Sequence, residues 1–407
     1  NVSVTSNAVL ENATLAGLQS VGGVLDVLSN PRLLTLDVRS LASVGGSIRV
    51  EGNGADAADD SAATPGSCTV GASSGADVGG AVSVESNEAF AELRLGIGTT
   101  EGAVEVLRNT GVSDGVFVSG VQAVGGSFDV LDNAIALLEV SLPVGGSQTR
   151  TIDGNVSVQN NTLMERATFE AAPFAVGGYV AVSNNPAATL LSLSCVTVGA
   201  NVSVTSNAVL ENATLAGLQS VGGVLDVLSN PRLLTLDVRS LASVGGSIRV
   251  EGNGADAADD SAATPGSCTV GASSGADVGG AVSVESNEAF AELRLGIGTT
   301  EGAVEVLRNT GVSDGVFVSG VQAVGGSFDV LDNAIALLEV SLPVGGSQTR
   351  TIDGNVSVQN NTLMERATFE AAPFAVGGYV AVSNNPAATL LSLSCVTVGA
   401  NVSVTSN

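Results

Sequence analysis

An internal repeat constrains this chain more than any other feature. Residues 1–200 recur without a change as residues 201–400, and residues 401–407 begin the same unit a third time. A length of 407 residues alone would suggest two or three globular domains. A long identical repeat instead favours a solenoid, which grows by adding coils and not by enlarging one core. We therefore expect a window from a longer periodic array, made of two identical solenoid units and the start of another.

A finer period divides each 200-residue unit into eight segments, called coils 1 to 8 here. Each coil opens with two apolar residues separated by one other residue, and an Asn follows three positions after the second. Apolar residues that alternate with period two predict a short strand with one face turned inward. The sequence thus predicts an all-β fold, a parallel β-solenoid with about 23 residues per coil. In the first unit the coils are residues 1–23, 24–46, 47–80, 81–102, 103–126, 127–154, 155–178 and 179–200.

The recurring asparagine is expected at the corner where each strand bends inward. A buried polar side chain is tolerated when it is hydrogen-bonded, so each amide should bond to the adjacent coils. Stacking would then align the amides into a ladder. Most coils end in Val-Gly-Gly, as at Val21-Gly22-Gly23, where glycine permits a tight corner. The ladder residues expected in the first unit are Asn7, Asn30, Asn53, Asn87, Asn109, Asn133, Asn161 and Asn185.

Two coils are longer than the others. Coil 3 has 34 residues and coil 6 has 28, and the additional residues are small or polar, with Gly and Pro. Such composition predicts loops that leave the solenoid wall, at about residues 54–77 and 143–151. In repeat proteins, loops of this kind tend to carry the contacts with partners.

The run Val-Gly-Gly-Val-Leu-Asp-Val-Leu-Ser-Asn-Pro-Arg-Leu-Leu-Thr-Leu, at residues 21–36, resembles the repeat of receptor L domains. These are leucine-rich-like β-helices of cell-surface receptors and fungal wall proteins. The recurring Asn and the Gly-Gly before each strand carry the resemblance, which covers nearly the whole chain. It implies a right-handed β-helix and a secreted setting. The chain departs from that family in being an uninterrupted, perfectly duplicated array, and no receptor-specific motif carries a ligand site over.

Composition excludes several classes of function. There are 40 acidic and 14 basic residues, giving a net charge of -26. This acidity disfavours nucleic acid and anionic membranes as partners, and no apolar run reaches the roughly 18 residues of a membrane span. The chain has no His or Lys, so it can build no Ser-His-Asp triad, Schiff-base lysine or imidazole metal ligand. Paired carboxylates on a solvated wall make no cleft for glycoside hydrolysis. We expect neither an enzyme nor a cofactor.

The acidic residues admit two interpretations. Hard cations favour clustered carboxylates, so Asp56, Asp59 and Asp60 are candidate calcium ligands. Neither an EF-hand loop nor the calcium-binding nonapeptide is present, however. The other interpretation is a solvated charged face that keeps neighbouring molecules apart. The outward acidic residues that recur in each unit include Asp26, Asp37, Glu85, Glu105, Asp129 and Glu139.

Each unit contains two cysteines, Cys68 and Cys195 in the first. An even number in a secreted protein suggests a disulfide. Cys68 and Cys195 lie five coils apart, roughly 24 Å at the strand spacing, whereas Cys195 and Cys268 lie three coils apart, roughly 14 Å. Cys195 with Cys268 is therefore the expected pair. Unpaired thiols buried as small apolar residues remain the alternative.

Asn-x-Ser/Thr sequons predict N-glycosylation if the chain is secreted by a eukaryotic cell. Asn1 and Asn155 each stand directly before a strand and should point outward, where a glycan would not disturb packing. The candidate sites are Asn1, Asn12, Asn155, Asn160, Asn201, Asn212, Asn355 and Asn360, with Asn401 in the third copy.

Together these features favour a structural protein, the shaft of an extracellular or cell-surface filament such as a flagellar hair or wall fibre. Its expected partner is itself, in a continuous or head-to-tail solenoid, with possible N-glycans. The alternative is a cell-surface adhesive or receptor-like module that binds a protein or sugar through the insertions of coils 3 and 6.

Overall fold

The structure is a computed structural model that describes residues 1–58, 66–143, 150–255, 266–343 and 350–407. It confirms the prediction of an all-β parallel solenoid, because the described chain is built almost wholly of strands that pair in parallel between successive coils. A helix of four residues, Ala55–Ala58, follows the corner of coil 3. The chain forms two compact units, Asn1–Gly199 and Ala200–Asn407.

One strand of four residues from each coil forms the first sheet of unit Asn1–Gly199. Equivalent residues lie opposite one another without a register shift, so that Val2 pairs with Leu25 and Val4 with Val27. The same register continues through all eight coils. The strands are Val2–Thr5, Leu25–Leu28, Ile48–Glu51, Val82–Glu85, Val104–Leu107, Phe128–Leu131, Val156–Gln159 and Val180–Ser183.

The second sheet of this unit takes two straight segments from each coil. In coils 4, 7 and 8 the two segments merge into one long strand, and the pairing shifts register within it. The strands are Asn12–Thr14, Ser20–Val21, Thr35–Val38, Ser43–Val44, Gly66–Val70, Ala76–Val78, Phe90–Thr100, Gly115–Ser119, Ala123–Val124, Leu137–Ser141, Arg150–Ile152, Arg166–Val176 and Leu190–Val198.

Unit Ala200–Asn407 has the same organisation. Its first-sheet strands are Val202–Thr205, Leu225–Leu228, Ile248–Glu251, Val282–Glu285, Val304–Leu307, Phe328–Leu331, Val356–Gln359, Val380–Ser383 and Val402–Thr405. Its second-sheet strands are Asn212–Thr214, Ser220–Val221, Thr235–Val238, Ser243–Val244, Gly266–Val270, Ala276–Val278, Phe290–Thr300, Gly315–Ser319, Ala323–Val324, Leu337–Ser341, Arg350–Ile352, Arg366–Val376 and Leu390–Val398.

The core runs through the middle of the coils. The apolar pair of each first-sheet strand points inward as the alternation predicts, and Leu25 and Val27 are fully buried. In coils 6 and 7 the rings of Phe128 and Phe169 meet edge to face with centroids 5.5 Å apart, and Phe174 stacks 6.0 Å from Phe169. Burial of such side chains supplies the main stabilising free energy of each coil.

The loops predicted at residues 54–77 and 143–151 include residues that form strands in the structure. Gly66–Val70 and Ala76–Val78 of coil 3 are strands of the second sheet, and Arg150–Ile152 of coil 6 is another. Cys68 and Val70 point inward with the same alternation as the other strands. This alternation was not recognised in the sequence because the neighbouring residues are rich in Gly and Ser. Residues 59–65 and 144–149, and their counterparts 256–265 and 344–349, lie outside the described residues.

None of the helices among the described residues is long and apolar enough to cross a membrane.

Candidate functional site: the asparagine ladder

From Asn30 to Asn161, and from Asn230 to Asn385 in the second unit, the side-chain amide of each corner asparagine connects three successive coils. At coil 4, the backbone N–H of Asn87 donates to Oδ1 of Asn109 at 3.0 Å, and Nδ2 of Asn87 donates to the same oxygen at 2.9 Å. Nδ2 also donates in the opposite direction, to the carbonyl oxygen of Val50 in coil 3 at 2.9 Å. One amide thus ties its own coil to the coil before it and the coil after it.

This pattern recurs along both units, with donor–acceptor distances of 2.9 to 3.2 Å between neighbouring asparagines. The side chains are almost wholly buried from Asn30 to Asn185, whereas Asn7 in coil 1 is exposed. Every buried side-chain nitrogen and oxygen among the described residues has a hydrogen-bond partner. The eight asparagines named from the sequence all lie in this column. In the second unit the column comprises Asn207, Asn230, Asn253, Asn287, Asn309, Asn333, Asn361, Asn385 and Asn407.

The residue before each ladder asparagine has a left-handed backbone conformation, which sequence reasoning missed. The φ angles lie between 53° and 63°. This conformation costs roughly 1–2 kcal/mol for a residue with a Cβ, and it turns the chain so that the next side chain enters the interior. In the first unit the residues are Ser6, Ser29, Gly52, Ser86, Arg108, Asp132, Asn160 and Asn184.

A second, partial row of side-chain caps lies at the start of the first-sheet strands. Oδ1 of Asn155 accepts the backbone N–H of Tyr179 in the next coil at 3.1 Å, and Oδ1 of Asn1 accepts that of Val24 at 3.1 Å. Serine hydroxyls do the same at Ser47 and Ser127. Two of the predicted glycosylation residues therefore already have a structural role through Oδ1. The second unit repeats these contacts at Asn201, Ser247, Ser327 and Asn355.

The remaining sequons differ in exposure. Asn12 and Asn160 are exposed, as is Asn360, while Asn212 is half-buried. Nδ2 of Asn160 donates to Oδ1 of Asp132 at 2.9 Å, and Asn360 makes the same bond to Asp332. Glycosylation at these residues stays a prediction.

All four cysteines are free thiols in the structure, so the disulfide expected between Cys195 and Cys268 is not formed there. Each of these two side chains is buried in its own unit. Cys195 lies opposite Phe174, and Cys268 lies between Leu236 and Leu293. Burial raises the pKa of the Cys68, Cys195 and Cys268 thiols to about 12.

Two acidic residues expected on a solvated face, Asp26 and Asp37, are instead buried and paired with arginine. Asp26 bonds to Arg49 at 2.7 Å, and Asp37 bonds to Arg39 at 2.6 Å. The hydrogen bond from Arg39 lowers the pKa of Asp37. Asp129 has the opposite shift, since partial burial raises its pKa although a hydrogen bond with Ser157 lowers it.

No group of metal-binding side chains is found in the part of the chain that the structure describes. Asp59 and Asp60 of the predicted calcium site lie outside that part, and Asp56 lies in the short helix Ala55–Ala58.

Comparisons with protein-family models, with curated proteins and with solved structures find no match to this chain. Its function must therefore be argued from its own geometry.

Proposed function

We propose that this chain is the shaft of an extracellular or cell-surface filament, built by stacking many copies of the 200-residue unit. One observation in unit Ala200–Asn407 carries the proposal. Strand Val402–Thr405, which begins a further copy of the repeat, pairs in parallel with strand Val380–Ser383 of coil 8. Val380 lies opposite Val402, and Val382 lies opposite Val404, in the register used between coils inside a repeat.

The ladder also continues across this junction. Oδ1 of Asn407 accepts the backbone N–H of Asn385 at 3.1 Å and its Nδ2 at 2.9 Å. Between coils 7 and 8, Asn361 and Asn385 make the same two bonds at 3.0 and 3.1 Å. A junction between repeats is thus made with the same contacts as a junction between coils. A repeat that joins to its own copy in this way can be extended without a change of structure.

A shaft of this kind resists load through many small, equivalent contacts. Each coil is bonded to its neighbours through strand pairing and through one buried amide, so stability is a sum of nearest-neighbour terms. The ladder fixes register because a shift between coils would leave buried amide groups without partners, at about 1–3 kcal/mol for each group. The mechanism proposed is therefore mechanical, and the partner is another copy of the same repeat.

The extracellular setting rests on the sequence. The resemblance to receptor L domains and the recurring sequons support a secreted chain with N-glycans. The net charge of -26 supports shafts that repel one another and do not clump. The alternative function, an adhesive or receptor-like module, would use the insertions of coils 3 and 6. Residues 59–65 and 144–149 of these insertions lie outside the described residues.

The test is electron microscopy of purified chains that contain two, four and eight repeats. For a shaft, the contour length should increase by roughly 38 Å per repeat, since eight coils are spaced by the 4.7–4.9 Å of paired strands. Averaged images should show that strand spacing along the fibre axis. Globular particles, or a length that does not grow in proportion to repeat number, would overturn the proposal and favour the adhesive module.

A further inference from the structure

The outer face of the second sheet in unit Asn1–Gly199 contains a groove with a volume of about 360 Å³. It crosses coils 2 to 6, which corresponds to roughly 19 Å along the stack at the spacing of paired strands. Its lining contributes two guanidinium groups, one aromatic ring, one carboxylate and several hydroxyls. The lining side chains used below are Arg39, Arg94, Phe117, Ser119, Glu139 and Ser141.

One wall of the groove is formed by large side chains that stand in register on neighbouring strands. Arg94 lies opposite Phe117, and Phe117 lies opposite Glu139. The guanidinium carbon of Arg94 lies 4.9 Å from the centre of the Phe117 ring, and Arg94 also forms an ion pair with Glu92. These two contacts favour one orientation of the exposed guanidinium, which reduces the ordering cost when it binds a ligand.

The floor of the groove consists of small residues. Gly96 lies opposite Ser119, which lies opposite Ser141. A Cβ at Gly96 would come within 1.9 Å of the carbonyl oxygen of Ala72, so these two segments of neighbouring coils approach too closely for a larger residue at Gly96. The floor therefore contains only small side chains. The hydroxyls of Ser119 and Ser141 remain accessible, because both residues are half-exposed.

The groove can bind a ligand through its side chains but not through its backbone groups. Strand Gly115–Ser119 at its centre pairs on one side with Phe90–Thr100 and on the other with Leu137–Ser141. Its N–H and C=O groups are used in the sheet, so an extended peptide cannot bind by adding a strand, the usual way in which a sheet recognises one. The occupant must be recognised by guanidinium, carboxylate and hydroxyl groups.

Electrostatics favour an uncharged occupant. Arg39 is paired with Asp37, and Arg94 is paired with Glu92. With Glu139, the groove and its immediate partners contain two arginines against three carboxylates, and the whole chain carries a net charge of -26. Long-range repulsion would oppose an anionic polymer.

We propose that this groove binds a linear, neutral oligosaccharide. Neighbouring hydroxyls of a sugar ring can accept from the fork of a guanidinium and donate to a carboxylate, and Arg94 and Glu139 stand on either side of Phe117 in that order. The groove follows the stack, so a linear chain of sugars lies along it. The same residues recur in the second unit, where Arg294 lies over Phe317 at 4.9 Å. A site would therefore repeat every 200 residues, whether or not the chain forms a filament.

The test is affinity electrophoresis of the whole chain in gels that contain soluble neutral linear polysaccharides. The panel comprises a β-glucan, a xylan and a mannan, with polygalacturonate as the anionic counterpart. At least one neutral polymer should retard the chain, and retardation should change little with salt. The variant Ser119→Tyr with Ser319→Tyr, which fills the floor, should weaken binding at least tenfold, and Arg94→Ala with Arg294→Ala should do so independently.

The matched control is Arg108→Ala with Arg308→Ala, which removes surface arginines that pair with Glu85 and Glu285 outside the groove. This variant should bind as the unchanged chain does. The proposal is overturned if no neutral polymer retards the chain, if polygalacturonate alone retards it, or if both groove variants bind normally. Groove variants should leave the contour length per repeat unchanged, which separates this test from that of the shaft.

Discussion

Asn87 and Asn109 lie 22 residues apart in sequence, yet Oδ1 of Asn109 accepts two hydrogen bonds from Asn87, one from the backbone and one from the side chain. Asn87 in turn accepts two hydrogen bonds from Asn53 of the coil before it, and it donates to both neighbouring coils, as do the other ladder asparagines inside each unit. Removal of one such side chain leaves groups on the neighbouring coils without partners.

The variant Asn109→Ala with Asn309→Ala tests this role. It leaves the buried backbone N–H of Asn87 without its acceptor, whereas Nδ2 still donates to the carbonyl oxygens of Val50 and Glu85. Each unit should therefore lose about 1–3 kcal/mol of unfolding free energy. Urea denaturation followed by circular dichroism measures the loss. The control is Asn12→Ala with Asn212→Ala at an outward position, where the effect should stay within about 0.5 kcal/mol. Equal losses in both variants would contradict a special role for the ladder.

Substitution of three glycines by alanine distinguishes the stability cost of backbone strain from that of steric contact. Gly52 has a φ of 63° and open space around its Cβ position, so Gly52→Ala should cost roughly 1–2 kcal/mol through conformation alone. At Gly111 a Cβ would come within 1.8 Å of the Glu88 carbonyl oxygen, so Gly111→Ala should cost at least about 2 kcal/mol. Gly17 has neither constraint, and Gly17→Ala should be neutral or slightly stabilising. Thermal unfolding of the three variants checks this order.

Asp37 and Asp129 should affect the pH dependence of stability with opposite sign. The pKa of Asp37 is lowered by its hydrogen bond from Arg39, so the carboxylate stabilises the fold above its unfolded-state pKa, and that contribution is lost as the pH falls through the folded-state pKa. Asp37→Asn should therefore destabilise the chain at neutral pH and have less effect in acid.

The pKa of Asp129 is raised by partial burial, so ionisation of this group disfavours the fold as the pH rises through the unfolded- and folded-state pKa values. Asp129→Asn should therefore stabilise the chain at neutral pH and lose that advantage in acid. Urea unfolding between pH 3 and pH 7, with Asp37→Asn made in the first unit and Asp129→Asn made together with Asp329→Asn, measures both effects. Shifts of the same sign for the two variants would show that one of these causes is wrong.

The buried thiols should be unreactive in the folded chain. Because the pKa values of Cys68, Cys195 and Cys268 are raised to about 12, almost no thiolate is present at neutral pH, and the side chains are inaccessible. Ellman's reagent should not modify these three residues until the protein is unfolded. In denaturant without reductant, four thiols per chain should react. Two reactive thiols would instead indicate the disulfide that the sequence suggested.

The sequence predicted the features that recur in every coil. The pair Leu25 and Val27 and the corner residue Asn30 repeat in type and spacing, so the strand and its inward face could be recognised without a structure. The residue before each asparagine could not be recognised, because Ser86, Arg108 and Gly52 share a backbone conformation but no chemical type.

The groove had no local signal in the sequence. Arg39 and Ser141 lie about a hundred residues apart, and they line one groove only because the second-sheet strands stack in a particular register. Coils of different length hide that register, as the incorrect loop assignment over Gly66–Val70 illustrates.

The insertion in coil 3 does not disturb the stack. Asn53 and Asn87 are separated by 34 residues, yet their two hydrogen bonds measure 3.2 and 2.9 Å, close to those between Asn87 and Asn109. Axial length within a unit therefore depends on the number of coils and not on the number of residues in each coil. A coil can gain residues at this corner without moving the coils that follow. Variants of different molecular mass would then share one axial length, and foreign sequences inserted here would be displayed at a fixed interval.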